Sequence, residues 1–92
     1  MKYAWVIDYE IYQNVGDTKI TGPNGLSQKH FNSLNKGEGQ EFQIFDADDI
    51  LNCIGRIVGE YDGFEPLDDY ATPSLGATTI KYKNETGGWK TL

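Results

Sequence analysis

The strongest constraint on the fold is the alternation of side chains in YAWVIDYEIY, residues 3–12. Aromatic and β-branched residues with a period of two are typical of a strand that buries one face. The segment therefore predicts a half-buried strand and a fold built around a β-sheet. The residues expected on its apolar face are Tyr3, Trp5, Ile7, Tyr9 and Ile11.

Residues 40–46 begin a second alternation, and the apolar segment 50–61 follows after the acidic turn 46-DADD-49. Together they predict a β-hairpin with an acidic tip. Gly55 and Gly59 lie inside its second strand, where glycine indicates a bulge or a close approach of another backbone. A second hairpin is predicted for residues 78–92, with its turn at 84-NETGG-88.

The segment 61–77 contains two prolines, and we expect an irregular loop there because proline disrupts regular strand pairing. One helix is predicted at about residues 28–36. Ser27 is its expected N-cap and Gly37 its C-terminal stop, and Phe31 and Leu34 are expected to face the core. A short extended piece is expected at 18–21.

The predicted fold is α+β: an antiparallel β-sheet of four to five strands with one short helix packed on one face. The expected order is strand, helix, hairpin, long loop, hairpin. Ninety-two residues correspond to a single domain, 1–92. A hydrophobic content of 38% indicates a chain that folds, in spite of a net charge of −6.

The cysteine content and the N-terminus indicate a cytoplasmic protein. Cys53 is the only cysteine, so an intrachain disulfide is excluded and a reducing compartment is favoured. Asp8 and Glu10 interrupt the N-terminal segment where a signal peptide would be apolar. No apolar run approaches the length that spans a membrane, and we expect no membrane association.

Charge is distributed unevenly along the chain. Residues 38–69 contain ten acidic residues and the single base Arg56, a net charge of −9, whereas the flanking segments carry +3. Phosphate groups are bound by Lys and Arg, so the acidic third argues against direct binding of nucleic acid. It favours solubility and a cationic partner.

The sequence contains no recognisable catalytic or metal-binding motif, and we expect neither an enzyme nor a cofactor. Cys53 lies among apolar residues and His30 in the predicted helix, so Cys53 is interpreted as a core residue. The acids of the 46–49 turn begin like a calcium loop, but Leu51 and Ile57 occupy the positions that need Gly and an acid. A weak cation site remains open as an alternative; it would use Asp46, Asp48, Asp49, Asp68 and Asp69.

The stretch 61-YDGFEPLDD-69 has two interpretations. Phe64 and Leu67 can anchor a long loop to the sheet while the acids face water. Alternatively, Tyr61, Phe64 or Tyr70 stays exposed among carboxylates, where an aromatic ring supplies contact area and charge steers a basic partner.

Three segments follow one another in the C-terminal part of the chain: GFEPLDDY at 63–70, PSLGATTIKY at 73–82 and GWKTL at 88–92. In this order they resemble a group of small uncharacterised proteins of bacteriophages and integrated mobile elements. It covers about 40% of the chain and implies no shared activity and no catalytic residues. It implies a phage or mobile-element setting, in which small acidic proteins are often anti-CRISPR or anti-restriction factors.

Charge and resemblance together predict an anti-CRISPR-type inhibitor that binds a host nucleic-acid-handling complex through an acidic surface. The expected partner is a host protein with a basic nucleic-acid-binding surface. The alternative is a structural or accessory phage protein that self-associates through Trp5, Tyr9 and Trp89, and either a monomer or a homodimer is compatible with the sequence. The predicted partner-binding residues are Asp46, Asp48, Asp49, Glu60, Tyr61, Asp62, Phe64, Glu65, Asp68, Asp69 and Tyr70.

Overall fold

A computed structural model describes residues 2–11, 20–23 and 28–92. These residues form a six-stranded antiparallel sheet in the order β2-β1-β4-β3-β5-β6, with two short helical regions. The α+β class is confirmed, with one strand more than expected. The strands are β1 (Tyr3–Glu10), β2 (Ile20–Gly22), β3 (Gln40–Phe45), β4 (Leu51–Gly59), β5 (Thr79–Lys83) and β6 (Trp89–Thr91). The first helical region is α1 (Gln28–Asn35), and the second is a π-helical turn (Leu67–Ala71) that continues directly into α2 (Thr72–Leu75).

Both predicted hairpins are confirmed. Ile44 pairs with Cys53 in the β3–β4 hairpin, and Lys81 pairs with Thr91 in the β5–β6 hairpin. Gly55 in β4 allows the backbone of β1 and the ring of Phe42 to approach closely, as the position of this glycine predicted. A Cβ atom there would collide with the Val6 carbonyl oxygen and the ring of Phe42.

The sheet is packed on both faces, because the two side-chain sets of β1 belong to two different hydrophobic clusters. Trp5 and Ile7 belong to the larger cluster, which includes Leu67 and Ala71 of the π-helical turn. Ala4 and Val6 point to the opposite face and pack with Leu34 of α1. The face of Trp5 and Ile7, which is covered by the helical connection between β4 and β5, is called below the crossover side. The face of Ala4 and Val6 is called the α1 side.

The apolar face predicted for β1 is correct only for its first half. The register with β4 shifts between Ile7 and Tyr9, so a bulge reverses the facing of the residues that follow. Tyr9 is consequently 48% exposed, whereas Glu10 is only 5% exposed. Trp5 is also removed from the expected self-association surface, since it is buried at 4% exposure.

The prediction of an irregular loop at 61–77 is wrong for its second half, which is helical. The π-helical turn and α2, together called the crossover helix, carry the chain from β4 to β5. These strands run parallel to each other with β3 between them, so their connection must run back along the sheet. Pro66 and Pro73 stand at the starts of the helical turns, where proline is tolerated.

Helix α1 begins and ends close to the predicted bounds, but only one of its two expected core residues is buried. Leu34 is 3% exposed and Phe31 is 38% exposed. Gly37 ends the helix with a φ of 84°, as predicted. The expected N-cap Ser27 and the first part of the expected extended piece, residues 18 and 19, lie outside the described residues.

Arg56 of β4 fixes the end of α1 to the sheet. Its guanidinium donates to the carbonyl oxygens of Leu34 and Glu38 at 2.8 and 3.0 Å. It also forms an ion pair with Asp8 of β1 at 2.9 Å. The hydrogen bond to Asp8 outweighs partial burial and raises the pKa of Arg56, which therefore stays charged. Among the described helices, none is long and apolar enough to cross a membrane.

Candidate acidic binding site

The predicted partner-binding residues fall into two separate groups. Asp46, Asp48 and Asp49 form the tip of the β3–β4 hairpin, next to Leu51 at the start of β4. The residues from 60 to 70 begin at the other end of this nine-residue strand. Nine residues in extended conformation span about 25 Å, so the structure does not bring the hairpin tip and the acidic segment together.

The hairpin tip is shaped by Asp46. Its Oδ1 accepts hydrogen bonds from the backbone N–H groups of Asp48 at 2.9 Å and of Ile50 at 3.1 Å. Asp49 has a φ of 62°, a conformation that Asp tolerates better than most residues. The side chains of Asp48 and Asp49 are exposed. This geometry accounts for Asp46 as a turn residue.

The alternative of a cation site shared by the hairpin tip and Asp68–Asp69 is wrong, because Asp69 contacts Tyr3, whose partner Gly59 is at the end of β4 opposite to the tip. Within the described ranges no three His, Cys, Asp or Glu side chains are grouped so as to hold a metal ion. Cys53 is fully buried in the larger cluster, as predicted for a core residue. Burial, and to a smaller extent the charge of Glu10, raises the pKa of its thiol to about 12.

An open cleft of about 600 Å³ lies where β4 leaves the sheet. Tyr3 of β1 and Tyr61, which follows β4, supply its aromatic surface. Among the described residues, Lys2 is the only cation that lines it. We call it the acidic cleft; its lining residues are Lys2, Tyr3, Glu60, Tyr61, Asp62 and Glu65.

The carboxylates of the 60–70 segment gather around the Tyr3 hydroxyl, which donates to Asp69 Oδ2 at 2.8 Å. Burial raises the pKa of Tyr3 to about 12, assisted by this hydrogen bond and by the negative charges of Asp69, Glu65 and Asp68. Three carboxylates are thus close enough to act on one phenol. The segment beside the acidic cleft is a single region of negative potential.

Several hydrogen bonds hold the first part of the segment in place. Glu65 accepts from the backbone N–H groups of Asp62 at 2.8 Å and Gly63 at 2.7 Å. Tyr82 in β5 donates to the Gly63 carbonyl oxygen at 2.7 Å. Tyr61 stacks on Tyr82, with ring centroids 6.1 Å apart, and donates to Gln40 Oε1. The acidic cleft therefore has ordered walls.

The two interpretations of this stretch apply to different residues. Leu67 is 6% exposed and anchors the segment to the larger cluster. Phe64, in contrast, is 47% exposed and stands among the carboxylates, while Tyr61 and Tyr70 are half-buried. Tyr70 donates to Glu10 Oε2 at 2.7 Å. Phe64 is therefore the exposed aromatic residue of this region.

Sequence reasoning missed Lys2 and Tyr3 as members of the site. Both precede the acidic segment by about 60 residues and reach it because Tyr3 pairs with Gly59 across β1 and β4. Nothing in the local pattern of residues 2–3 indicates this pairing. It depends on which strands become neighbours in the sheet.

Four lysines lie on the side of the sheet opposite to the acidic segment. Lys29 belongs to α1 and Lys36 follows it, and Lys81 lies on the α1 side of β5, over the ring of Phe45. Lys83 lies on the same side and pairs with Glu41 at 3.1 Å. Glu65, Asp68 and Asp69 lie at the crossover helix on the opposite side. The separation is partial, because Lys90 pairs with Tyr82 and so lies on the crossover side, whereas Asp8 and Glu41 lie on the α1 side with Arg56.

We compared the chain with protein-family models, with curated proteins and with solved structures, and found no match. The assignment of function therefore depends on the geometry and charge of the site. Its carboxylates are grouped with phenol rings at an open cleft, an arrangement suited to binding cationic side chains.

Proposed function

We propose that this protein binds a host nucleic-acid-handling complex of the CRISPR or restriction type and inhibits it. In this proposal the acidic cleft and the adjoining Asp68 and Asp69 contact a basic surface that would otherwise bind nucleic acid. The observation that carries the proposal is the gathering of carboxylates around Tyr3 and Tyr61, with Lys2 as the single lining cation within the described ranges. The carboxylates are those of Glu60, Asp62, Glu65, Asp68 and Asp69.

Electrostatic complementarity favours this kind of partner. Surfaces that bind DNA or RNA are rich in Arg and Lys, so a rigid cluster of carboxylates is attracted to them and speeds the encounter. Phe64 adds an exposed aromatic side chain next to the charges, the residue class that supplies contact energy at interfaces. The hairpin tip lies about 25 Å away, and the contact proposed here does not need it.

Survival of a targeted plasmid in a host with an active CRISPR or restriction system tests the proposal. We expect expression of the wild type to raise plasmid survival and the double variant E60K/D62K to abolish this protection. The matched control is D48K/E85K, which changes the net charge equally at two exposed residues that do not line the cleft. It should protect like the wild type.

The proposal is contradicted if the wild type gives no protection, or if E60K/D62K protects as well as the wild type. Loss of protection in both double variants would also contradict it, because net charge would then matter and the acidic cleft would not. Circular dichroism and thermal unfolding of the purified variants distinguish a lost contact from a lost fold.

A second candidate function is self-association through the α1 side of the sheet. It is supported by the exposure of Tyr9 at 48% and Trp89 at 40%, both on that side, where α1 packs on β1 and β4. It requires a concentration-dependent dimer in sedimentation that Y9S or W89S weakens. A wild type that stays monomeric at high micromolar concentration excludes it.

A further inference from the structure

A second cleft lies on the crossover side of the sheet, between the edge strand β2 and the π-helical turn, with a volume of about 320 Å³. We call it the indole cleft because Trp5 lines it. Its other lining residues are Ile20, Thr21, Gly22, Pro23, Asp69 and Tyr70. Asp69 is the only charged residue in this set.

Two aromatic rings and one carboxylate define the chemistry of the indole cleft. The rings of Trp5 and Tyr70 have centroids 5.7 Å apart and an interplanar angle of 44°. Trp5 is 4% exposed and forms the floor, while the half-buried Tyr70 forms a wall. The hydrogen bond from Tyr70 to Glu10 fixes the position of the Tyr70 ring.

The carboxylate of Asp69 is held in a fixed position. Its Oδ2 accepts hydrogen bonds from the Trp5 indole N–H at 3.1 Å and from the Tyr3 hydroxyl at 2.8 Å. Its Oδ1 accepts no hydrogen bond from any described residue, and Asp69 is exposed. A negative charge in a fixed position therefore stands at the edge of an aromatic surface.

The backbone of β2 lies directly against the indole and covers part of its six-membered ring. A Cβ atom at Gly22 would collide with the six-membered ring of Trp5, so only glycine allows this approach. Pro23 adds an apolar ring to the lining. The indole cleft is thus built from an edge strand, a strand interior and a helical turn.

We propose that the indole cleft binds a guanidinium group, supplied by an arginine side chain of the basic partner. Guanidinium stacks on aromatic rings and donates to carboxylate oxygens. The half-buried Tyr70 ring and the exposed Asp69 carboxylate offer these two contacts together, and the buried Trp5 beneath them reports on binding. A lysine ammonium would gain the charge interaction but would lose the planar stacking. This inference rests on the proposed function only for the source of the guanidinium.

Tryptophan fluorescence tests the inference without any partner protein. The chain has two tryptophans, and W89F leaves Trp5 as the only reporter. The probe is N-acetylarginine amide, and its neutral isostere N-acetylcitrulline amide is the control ligand. We expect a saturable change of Trp5 emission with the arginine probe, with a dissociation constant in the millimolar range that weakens as salt is added, and none with the citrulline probe.

Substitutions in the W89F background locate the site. D69N removes the charge and should weaken binding of the arginine probe at least about fivefold. D49N makes the same change at the hairpin tip, where Asn tolerates the φ of 62°, and should leave binding within about twofold. Y70F keeps the ring and should also bind, whereas Y70L should bind more weakly. Thermal unfolding of each variant controls for loss of fold.

An equal response to the citrulline probe, or equal affinity of D69N and D49N, would overturn the inference. These results are separable from the proposed function. If the arginine probe fails while E60K/D62K still abolishes plasmid protection, the proposed function stands and the arginine site is wrong. If the probe binds as expected but the wild type gives no protection, the arginine site stands and the proposed function is wrong.

Discussion

At the scale of single residues, Glu65 shows how a carboxylate stabilises the segment in which it lies. Burial raises its pKa, but hydrogen bonds from the backbone N–H groups of Asp62, Gly63 and Glu65 itself lower the pKa by more. The net pKa is below the ordinary value of 4.5. The ionised form therefore stabilises the fold above the pKa of the unfolded chain, and this contribution is lost as pH falls through the folded-state pKa.

We predict that E65Q lowers the free energy of unfolding at neutral pH by about 0.5–1 kcal/mol. The figure is small because the side chain is only partly buried. The difference between E65Q and the wild type should shrink as pH falls below 4.5, where Glu65 becomes protonated. Urea unfolding across this pH range measures it. E60Q is the control, since the Glu60 side chain forms no hydrogen bond with a described residue, and a pH-independent deficit in E65Q would contradict the prediction.

The bulge in β1 shows where residue-level prediction ends. The alternation up to Ile7 correctly predicted burial of Trp5 and Ile7, but the register shift after Ile7 exchanged the environments of Tyr9 and Glu10. The sequence pattern alone favoured Tyr9 as the buried residue. Burial of the Glu10 carboxylate costs less free energy because Tyr70, 60 residues away in the sequence, donates a hydrogen bond to it. No local pattern contains that partner.

At the scale of elements, local pairing could be predicted and the connections between distant strands could not. Both hairpins follow from alternation and turn residues within short segments. The crossover helix, in contrast, is required only because β4 and β5 run parallel on either side of β3. Local patterns do not contain this strand order. The candidate site has the same origin: its residues between 60 and 70 were predicted from charge, whereas Lys2 and Tyr3 joined it through the pairing of β1 with β4.

Gly55 gives an element-scale prediction about the core of the sheet. G55A places a methyl group against the Val6 carbonyl oxygen and 2.6 Å from the Phe42 ring, so β4 or its neighbour must move. We expect a loss of about 3 kcal/mol in the free energy of unfolding, measured by urea denaturation. G76A is the matched control: its φ is 69° but no heavy atom lies within 4 Å, so only conformational strain of about 1 kcal/mol is expected.

Equal losses in the two variants would contradict the steric explanation for Gly55. A larger loss in G76A would mean that the left-handed turn at the end of α2 limits stability more than the packing of β4. The comparison also tests the sheet order, because the collision at Gly55 exists only if β1 lies next to β4 and the Phe42 ring lies on the crossover side.

At the scale of the whole molecule, charge and sheet edges together determine which surfaces can meet a partner. The acidic segment lies on the crossover side and Lys29, Lys36, Lys81 and Lys83 lie on the α1 side. The crossover side therefore favours a cationic partner. The edge strands β2 and β6 have three residues each. Short edge strands, and Pro23 directly after β2, limit pairing with another chain.

Lys90 at the centre of β6 protects the second edge. If two copies paired antiparallel through β6 about a twofold axis at its central residue, each Lys90 would stand opposite the other, and like charges in that position are destabilising. We therefore predict that K90T increases dimerisation in sedimentation velocity at high micromolar concentration. K36T is the control, because it removes the same charge just after α1, away from any strand edge. Should K36T dimerise as readily as K90T, lowered solubility would explain the result, and protection of the β6 edge by Lys90 would be refuted.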